Sequence, residues 1–167
     1  QKQVVVSLDN SPLEIVDEKA LLEWDTFMTE GENTYREMAA MVNTLYPLQL
    51  TLEGLLGHDK ISGNAALKLA VTEVLETAVS FDNDMIQRLS KAYDDVENYP
   101  NKFTASYLYV LNQTVGSLPK LNTGSVSRMA VLNKEWALLK ARGEHLKNDK
   151  IPQLNKLLWE AGIGAID

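Results

Sequence analysis

Between Leu21 and Leu56 the apolar positions keep one register for five heptads: Leu21, Trp24, Met28, Gly31, Tyr35, Met38, Val42, Leu45, Gln49, Leu52 and Leu56, spaced by threes and fours. Nine of these eleven are apolar, the pattern of a long helix that buries one face against partner helices. At about 1.5 Å per residue the element is a rod roughly 50 Å long. Two starts compete for it. Ser11-Pro12-Leu13-Glu14 fits a capping box with proline at the first helical position, and Asp17 fits an N-cap flanked by a Val16–Leu21 hydrophobic staple. Asp17 is preferred, because the seam begins at Leu21. Gly31 sits on the seam and predicts room for a bulky side chain from a neighbouring helix. Pro47 falls on the outer side and predicts a kink, and Gly57 predicts the C-cap.

A second seam runs Leu67, Val71, Val74, Ala78, Phe81, Met85, Leu89, Ala92 and Val96, after a cap at Ser62 or Asn64, with one extra spacing of four near Met85. It is expected to stop before Pro100, since the residue ahead of a proline is pushed out of helical geometry. Pro100 then opens a shorter helix with Phe103, Tyr107, Val110, Leu111 and Leu118 as apolar positions, ending near Gly116 and Pro119. A last helix, capped by Ser125 or Ser127, carries Met129, Leu132, Trp136, Leu139, Gly143 and Leu146, and continues as Ile151, Leu154, Leu158 and Ala161. Pro152 should kink it and Gly162-Ile163-Gly164 should end it. The fold class is therefore mainly α: an antiparallel helical bundle of three long helices plus one shorter helix, with a short N-terminal extended segment. Sequential helices are expected to be antiparallel neighbours, with the short one packed across one end. Residues 1–12, with the β-branched run Val4-Val5-Val6, read as an extended linker or as the strand of a preceding domain, and residues 13–167 as the bundle domain.

Composition narrows the function classes. The 167 residues suit one domain, and 45% hydrophobic with 23% charged content argues against disorder. A net charge of −7 with no basic run argues against nucleic acid, and no apolar stretch reaches the roughly 20 residues of a membrane span. The chain has no cysteine, which removes disulfides, thiol catalysis and thiolate metal sites. It opens at Gln1 without methionine or leader, and is read as a piece of a longer protein with any targeting sequence upstream.

The chemistry-bearing residues form no recognisable constellation. His58 and His145 lack the Glu-x-x-His and His-Glu-x-x-His spacings of metal-binding helices and read as solvated. Asp82 and Asp84, then Asp94, Asp95 and Glu97, are acidic clusters. Asp82-Asn83-Asp84 fails as a calcium loop because Ile86 stands where a turn glycine is needed. These acids fall off the seams and read as a solvated face. Ser125 and Ser127 read as caps rather than nucleophiles. The aromatic group Tyr93, Tyr99, Phe103, Tyr107 and Tyr109 offers either a stacking surface for sugar rings or closure of one end of the core, of which the second is preferred. No catalytic, cofactor-binding or metal residue is assigned.

Three segments carry a family resemblance: Asn98-Tyr99-Pro100-Asn101-Lys102, Asp149-Lys150-Ile151-Pro152-Gln153-Leu154-Asn155-Lys156-Leu157-Leu158, and Glu160-Ala161-Gly162-Ile163. This series resembles the C-terminal helical region of bacterial BNR-repeat, sortilin-like β-propeller proteins of the glycosyl-hydrolase kind. The chain departs from it at Asn122-Thr123-Gly124-Ser125, where the family often carries Pro-Thr. The resemblance implies a non-catalytic accessory domain, structural or protein-interacting, in a larger periplasmic or secreted protein. It makes the β-propeller of the same parent chain the partner, needs no cofactor, and leaves a homo-oligomer open. The competing reading is an independent ligand-binding or sensor bundle. The purified chain is expected to give a circular dichroism spectrum dominated by helix, and a strand-rich spectrum would contradict the seams.

Overall fold

Asp17 opens the first helix. Its backbone is extended, and its carboxylate accepts from the amides of Lys19 (3.0 Å) and Ala20 (3.3 Å), so α1 spans Glu18–Leu55. The competing start at Ser11, the staple residue Val16 and the extended segment 1–12 lie outside the described residues of this computed structural model, which are 17–90, 97–118 and 120–166. No strand occurs among the described residues. Along α1, Met28, Gly31, Met38, Val42, Leu45 and Leu52 of the seam are buried, while Leu21 remains exposed. The helix runs through Pro47 on its solvent side. Gly57 is not the expected left-handed cap. The C-cap is Leu56 in right-handed geometry, and Gly57 only donates to the Gly54 carbonyl. The chain needs no reversal there because it enters α2 (Asp59–Ser62) directly, a single turn that plugs the fully buried Ile61 into the core.

Asn64 caps α3 (Ala65–Met85), its side chain accepting from the Leu67 amide. The helix then stops at Met85, well short of the expected end near Pro100. Ile86 is extended, and Arg88 turns back to grip Asp82 one turn inside the helix. The Thr104 hydroxyl donates to the Met85 carbonyl at 2.7 Å, taking an acceptor that a continuing helix would use. Leu89, expected on the seam, is 71% exposed; Ala92 and Val96 lie outside the described residues. The next helix, α4 (Phe103–Val115), starts three residues later than the proline signal suggests, because the Pro100 carbonyl is instead held by the Gln87 side chain. Leu118 is exposed beyond its end, and Pro119 is not among the described residues.

Asn122, rather than either serine, caps α5 (Thr123–His145), accepting from the Ser125 amide at 2.7 Å. Every seam position from Met129 to Leu158 is buried. The spacing from Leu146 to Ile151 is five, which α-helical geometry cannot keep on one face. A π-helical turn at Leu146–Lys150 absorbs it, with the Ile151 amide bonding the Leu146 carbonyl five residues back. The same turn accommodates Pro152, which lacks the N–H an α-helix would need there and opens α6 (Ile151–Glu160) in its first turn. Gly162, the one residue with positive φ (68°) among those described, closes α6. Its amide reaches the Trp159 carbonyl while that of Ile163 reaches Leu158, the paired bonds of a Schellman motif.

Named contacts set the topology. Moving down α1, Trp24 bonds the Thr114 carbonyl, Gly31 meets Leu111 and Met129, Glu37 meets Trp136 and Lys140, and Met41 meets Gly143. Helix α4 therefore runs antiparallel to the first half of α1, and α5 runs parallel to it. Helix α3 folds back along the second half of α1 and also borders α6 and the π turn. The bundle thus has two rods of equal length, α1 and the continuous Thr123–Glu160 helix, with α3 and α4 end to end as a broken third rod between them. The all-helical bundle stands as expected, but the short helix does not lie across one end. Nor are α3 and α4 antiparallel neighbours, since they point the same way and a 17-residue connection separates them.

Two glycines permit the close approaches. A Cβ on Gly31 would lie 2.5 Å from Leu111 Cδ2, which bears out the expected room for a bulky neighbour. A Cβ on Gly143 would collide with Met41 Sδ and come within 3.1 Å of the Phe81 ring. Gly143→Val should therefore cost about 1–3 kcal/mol from overpacking. Leu139→Ala on the same buried face should cost about 2–5 kcal/mol from the cavity it leaves. Urea unfolding measures both, and a loss under about half a kcal/mol for Leu139→Ala would mean its face is solvated.

Candidate functional site

The break between α3 and α4 holds the one buried charged side chain among the described residues. Asp82, read from the sequence as solvated, is only 7% exposed. Two turns of helical periodicity suggest an outward face, but the chain reversal after Met85 brings Arg88 over it, with Nε and Nη2 donating to the two carboxylate oxygens at 2.5 and 2.7 Å. This two-pronged geometry holds the guanidinium pKa above its ordinary value, and the guanidinium carbon also sits 3.6 Å from the centroid of the Tyr46 ring. The clasp joins the end of α3, the chain beyond it and α1. Asp84 is exposed as expected, and it too is engaged: Arg142 donates to it at 2.6 Å and to the Ser80 hydroxyl at 3.1 Å, tying α5 to α3. Asp94 and Asp95 lie outside the described residues, and Glu97 is exposed.

The aromatic residues divide. Phe103 and Tyr107 are buried, with Phe103 stacked on Trp136 at 6.3 Å between centroids, and the Tyr107 hydroxyl donates to Asn133 at 2.9 Å. Burial pushes the Tyr107 phenol above its ordinary pKa. These rings are core rather than a sugar platform, but they fill the middle of the bundle, not one end. Tyr99 is half-buried, Tyr109 is exposed, and Tyr93 is outside the described residues.

Beside this break an open groove of about 580 Å³ runs along α5. Its walls include Asp84, Lys102, Ser106, Arg128, Glu135 and Arg142, over the apolar side chains of Phe103, Leu132 and Leu139. Arg142 is committed to Asp84, whereas Arg128 is the one arginine with no carboxylate partner among the described residues. Among the described residues, no hydrogen bond in the groove pairs a nucleophile with a base. Among the described residues no three His, Asp or Glu side chains converge to hold a metal. His58 is exposed and uses Nδ1 to cap α2, and His145 is exposed and hydrogen-bonded to Asp149 at 2.8 Å. Ser125 and Ser127 sit in the first turns of α5, and neither hydroxyl is hydrogen-bonded to a base among the described residues. On α1, the seam residue Gln49 is half-buried; its amide nitrogen donates to Glu53, and its oxygen has no partner among the described residues.

Two polar clusters escaped the sequence reading. Glu37 of α1 accepts from Lys140 Nζ at 2.5 Å and from the Trp136 indole at 3.1 Å, clamping α1 to α5. At the far end, Asn155 accepts from the Ile166 amide and donates to its carbonyl, pinning the C-terminal tail, while Lys60 donates to the Ala161 and Gly162 carbonyls at the end of α6. Asn155 stood in a motif that carried the family resemblance, but nothing in its spacing shows what it would bind. No protein-family model, curated protein or solved structure matches this chain. No helix among the described residues is long and apolar enough to cross a membrane.

The Glu37 clamp makes a pH prediction. The hydrogen bond from Lys140 lowers the Glu37 pKa, against the opposing effect of burial and with help from Trp136. A carboxylate depressed in the folded state adds stability above its unfolded pKa and loses it as pH falls through the folded value. The stability gap between the wild type and Glu37→Gln should therefore be widest near neutrality and close through the acidic carboxylate range. Urea titrations at stepped pH measure it, and a gap independent of pH would rule out the clamp.

Proposed function

We propose that this chain is a non-catalytic accessory domain, a stiff helical strut that supports or contacts another part of a larger protein. The observation that carries this reading is where the polar groups are spent. The Asp82–Arg88, Asp84–Arg142 and Glu37–Lys140 pairs each fasten one structural element to another, and none converges on an enclosed cavity. Rigidity is what such pairs supply. The context of a secreted or periplasmic glycosyl-hydrolase-like protein, with a BNR-repeat β-propeller as partner, rests on the sequence resemblance alone. A second reading, a solute-binding or sensor bundle, draws on the open groove, whose Arg128 and Lys102 have no carboxylate partner among the described residues.

Assays on sialosides and common hexosides should be blank with or without divalent metal, because hydrolysis needs two carboxyl groups held across the scissile bond. Asp82 and Asp84, the adjacent acids of α3, are each bound to an arginine instead. Reproducible turnover abolished by Asp82→Asn would overturn the accessory role. Adding a BNR-repeat propeller in trans separates the two readings: an accessory domain binds it, and a free-standing sensor does not.

A further inference from the structure

The stripe of α5 that lines the open groove alternates charge with apolar surface. Arg128, Leu132, Glu135, Leu139 and Arg142 follow one another at spacings of four and three, which places them on one side of the helix over about 20 Å. Lys102, the N-cap residue of α4, lines the same groove. Arg142 and Asp84 neutralise each other. Arg128, Lys102 and Glu135 have no ion-pair partner among the described residues. Two free cations therefore stand against one free carboxylate, in a chain whose net charge is −7. Leu138, 71% exposed, adds apolar surface between the charges.

We propose that this groove holds an extended acidic peptide segment of a partner protein, with carboxylates at Arg128 and Lys102 and an apolar side chain against Leu138. Charge and shape select this occupant. An acidic segment is drawn to the two free cations, while the net negative charge of the chain disfavours it elsewhere. A stripe of this length matches about six residues of extended chain, more than a single small anion fills. An extended chain also presents backbone N–H groups that Glu135 can accept, where a bare anion would be repelled. The groove is open along its length, whereas small-solute sites bury most of their ligand. The inference rests on the accessory reading, in which the chain contacts another part of a larger protein, and names the chemistry of that contact.

Amide-resolved NMR titration of the full chain tests it, with a capped hexapeptide alternating aspartate and leucine as the probe. Shifts are expected at residues 101–106 and 128–142, and they should shrink as salt is added. Arg128→Gln combined with Lys102→Gln should weaken binding roughly two- to thirtyfold, the range of two exposed charge pairs. Glu135→Gln should tighten it, because one like charge is removed. None of the three positions is buried, so the variants keep the fold, which far-UV circular dichroism checks. No shifts in the groove, equal shifts from a lysine–leucine hexapeptide, or an unchanged affinity in the double variant would overturn the proposal. Sodium acetate that reproduces the shifts at the same concentration would also overturn it, and assign the groove to a free carboxylate. The propeller assay stays separate. A chain that binds the propeller but not the peptide keeps the accessory role and loses this site, and the converse result removes the propeller as partner and leaves the site.

Discussion

The clasp between Arg88 and Asp82 decides the shape of this molecule. A carboxylate buried at the end of α3 is tolerated only with a partner, because an isolated charge out of water costs several kcal/mol. Arg88 can reach it only if the chain abandons the helix after Met85 and doubles back. That termination shortens α3 to about half the length of α1. The remaining half of α1 is then available to α4, whose Thr104 locks onto the freed Met85 carbonyl. Two unbroken rods and one interrupted rod are the consequence.

Close approach along the rods depends on small residues where large ones arrive. Gly31 receives Leu111 and Gly143 receives Met41 and Phe81, while the π turn keeps the last helix on its seam across a five-residue step. Without that turn, α6 would rotate by about 100° relative to α5, and Ile151, Leu154 and Leu158 would leave the core. The ion pairs sit beside these contacts. Exposed pairs of this kind contribute little to stability individually, so their value lies in fixing register between helices that apolar packing alone would allow to slide.

Side-chain bonds brace the bundle across its elements. Each of α1, α3, α4 and α5 carries at least one side-chain bond to another element, and the C-terminal tail is held by Asn155. Exposed apolar residues remain at the entry end, the start of α1, and an open groove runs along α5.

Sequence periodicity alone determined the long seams, the Asp17 cap, the accommodating glycine at 31 and the terminating Gly162. Each of these is a local matter: side chains three and four apart share a helix face, and caps satisfy amides within a turn. The seam could not show where α3 ends. The apolar positions continue past Met85 at helical spacing, and the helix ends there through the Arg88–Asp82 clasp and the bond of Thr104, 19 residues away, to the Met85 carbonyl. Asp82 looked solvated for the same reason, since its partner reaches it only after a chain reversal that no periodicity records. The direction of α4, the Glu37–Trp136–Lys140 clamp and the hold of Asn155 on Ile166 likewise join residues distant in sequence or outside regular helix. Tertiary structure decided these, because long-range polar contacts depend on which elements become neighbours, and helical spacing carries no information about that.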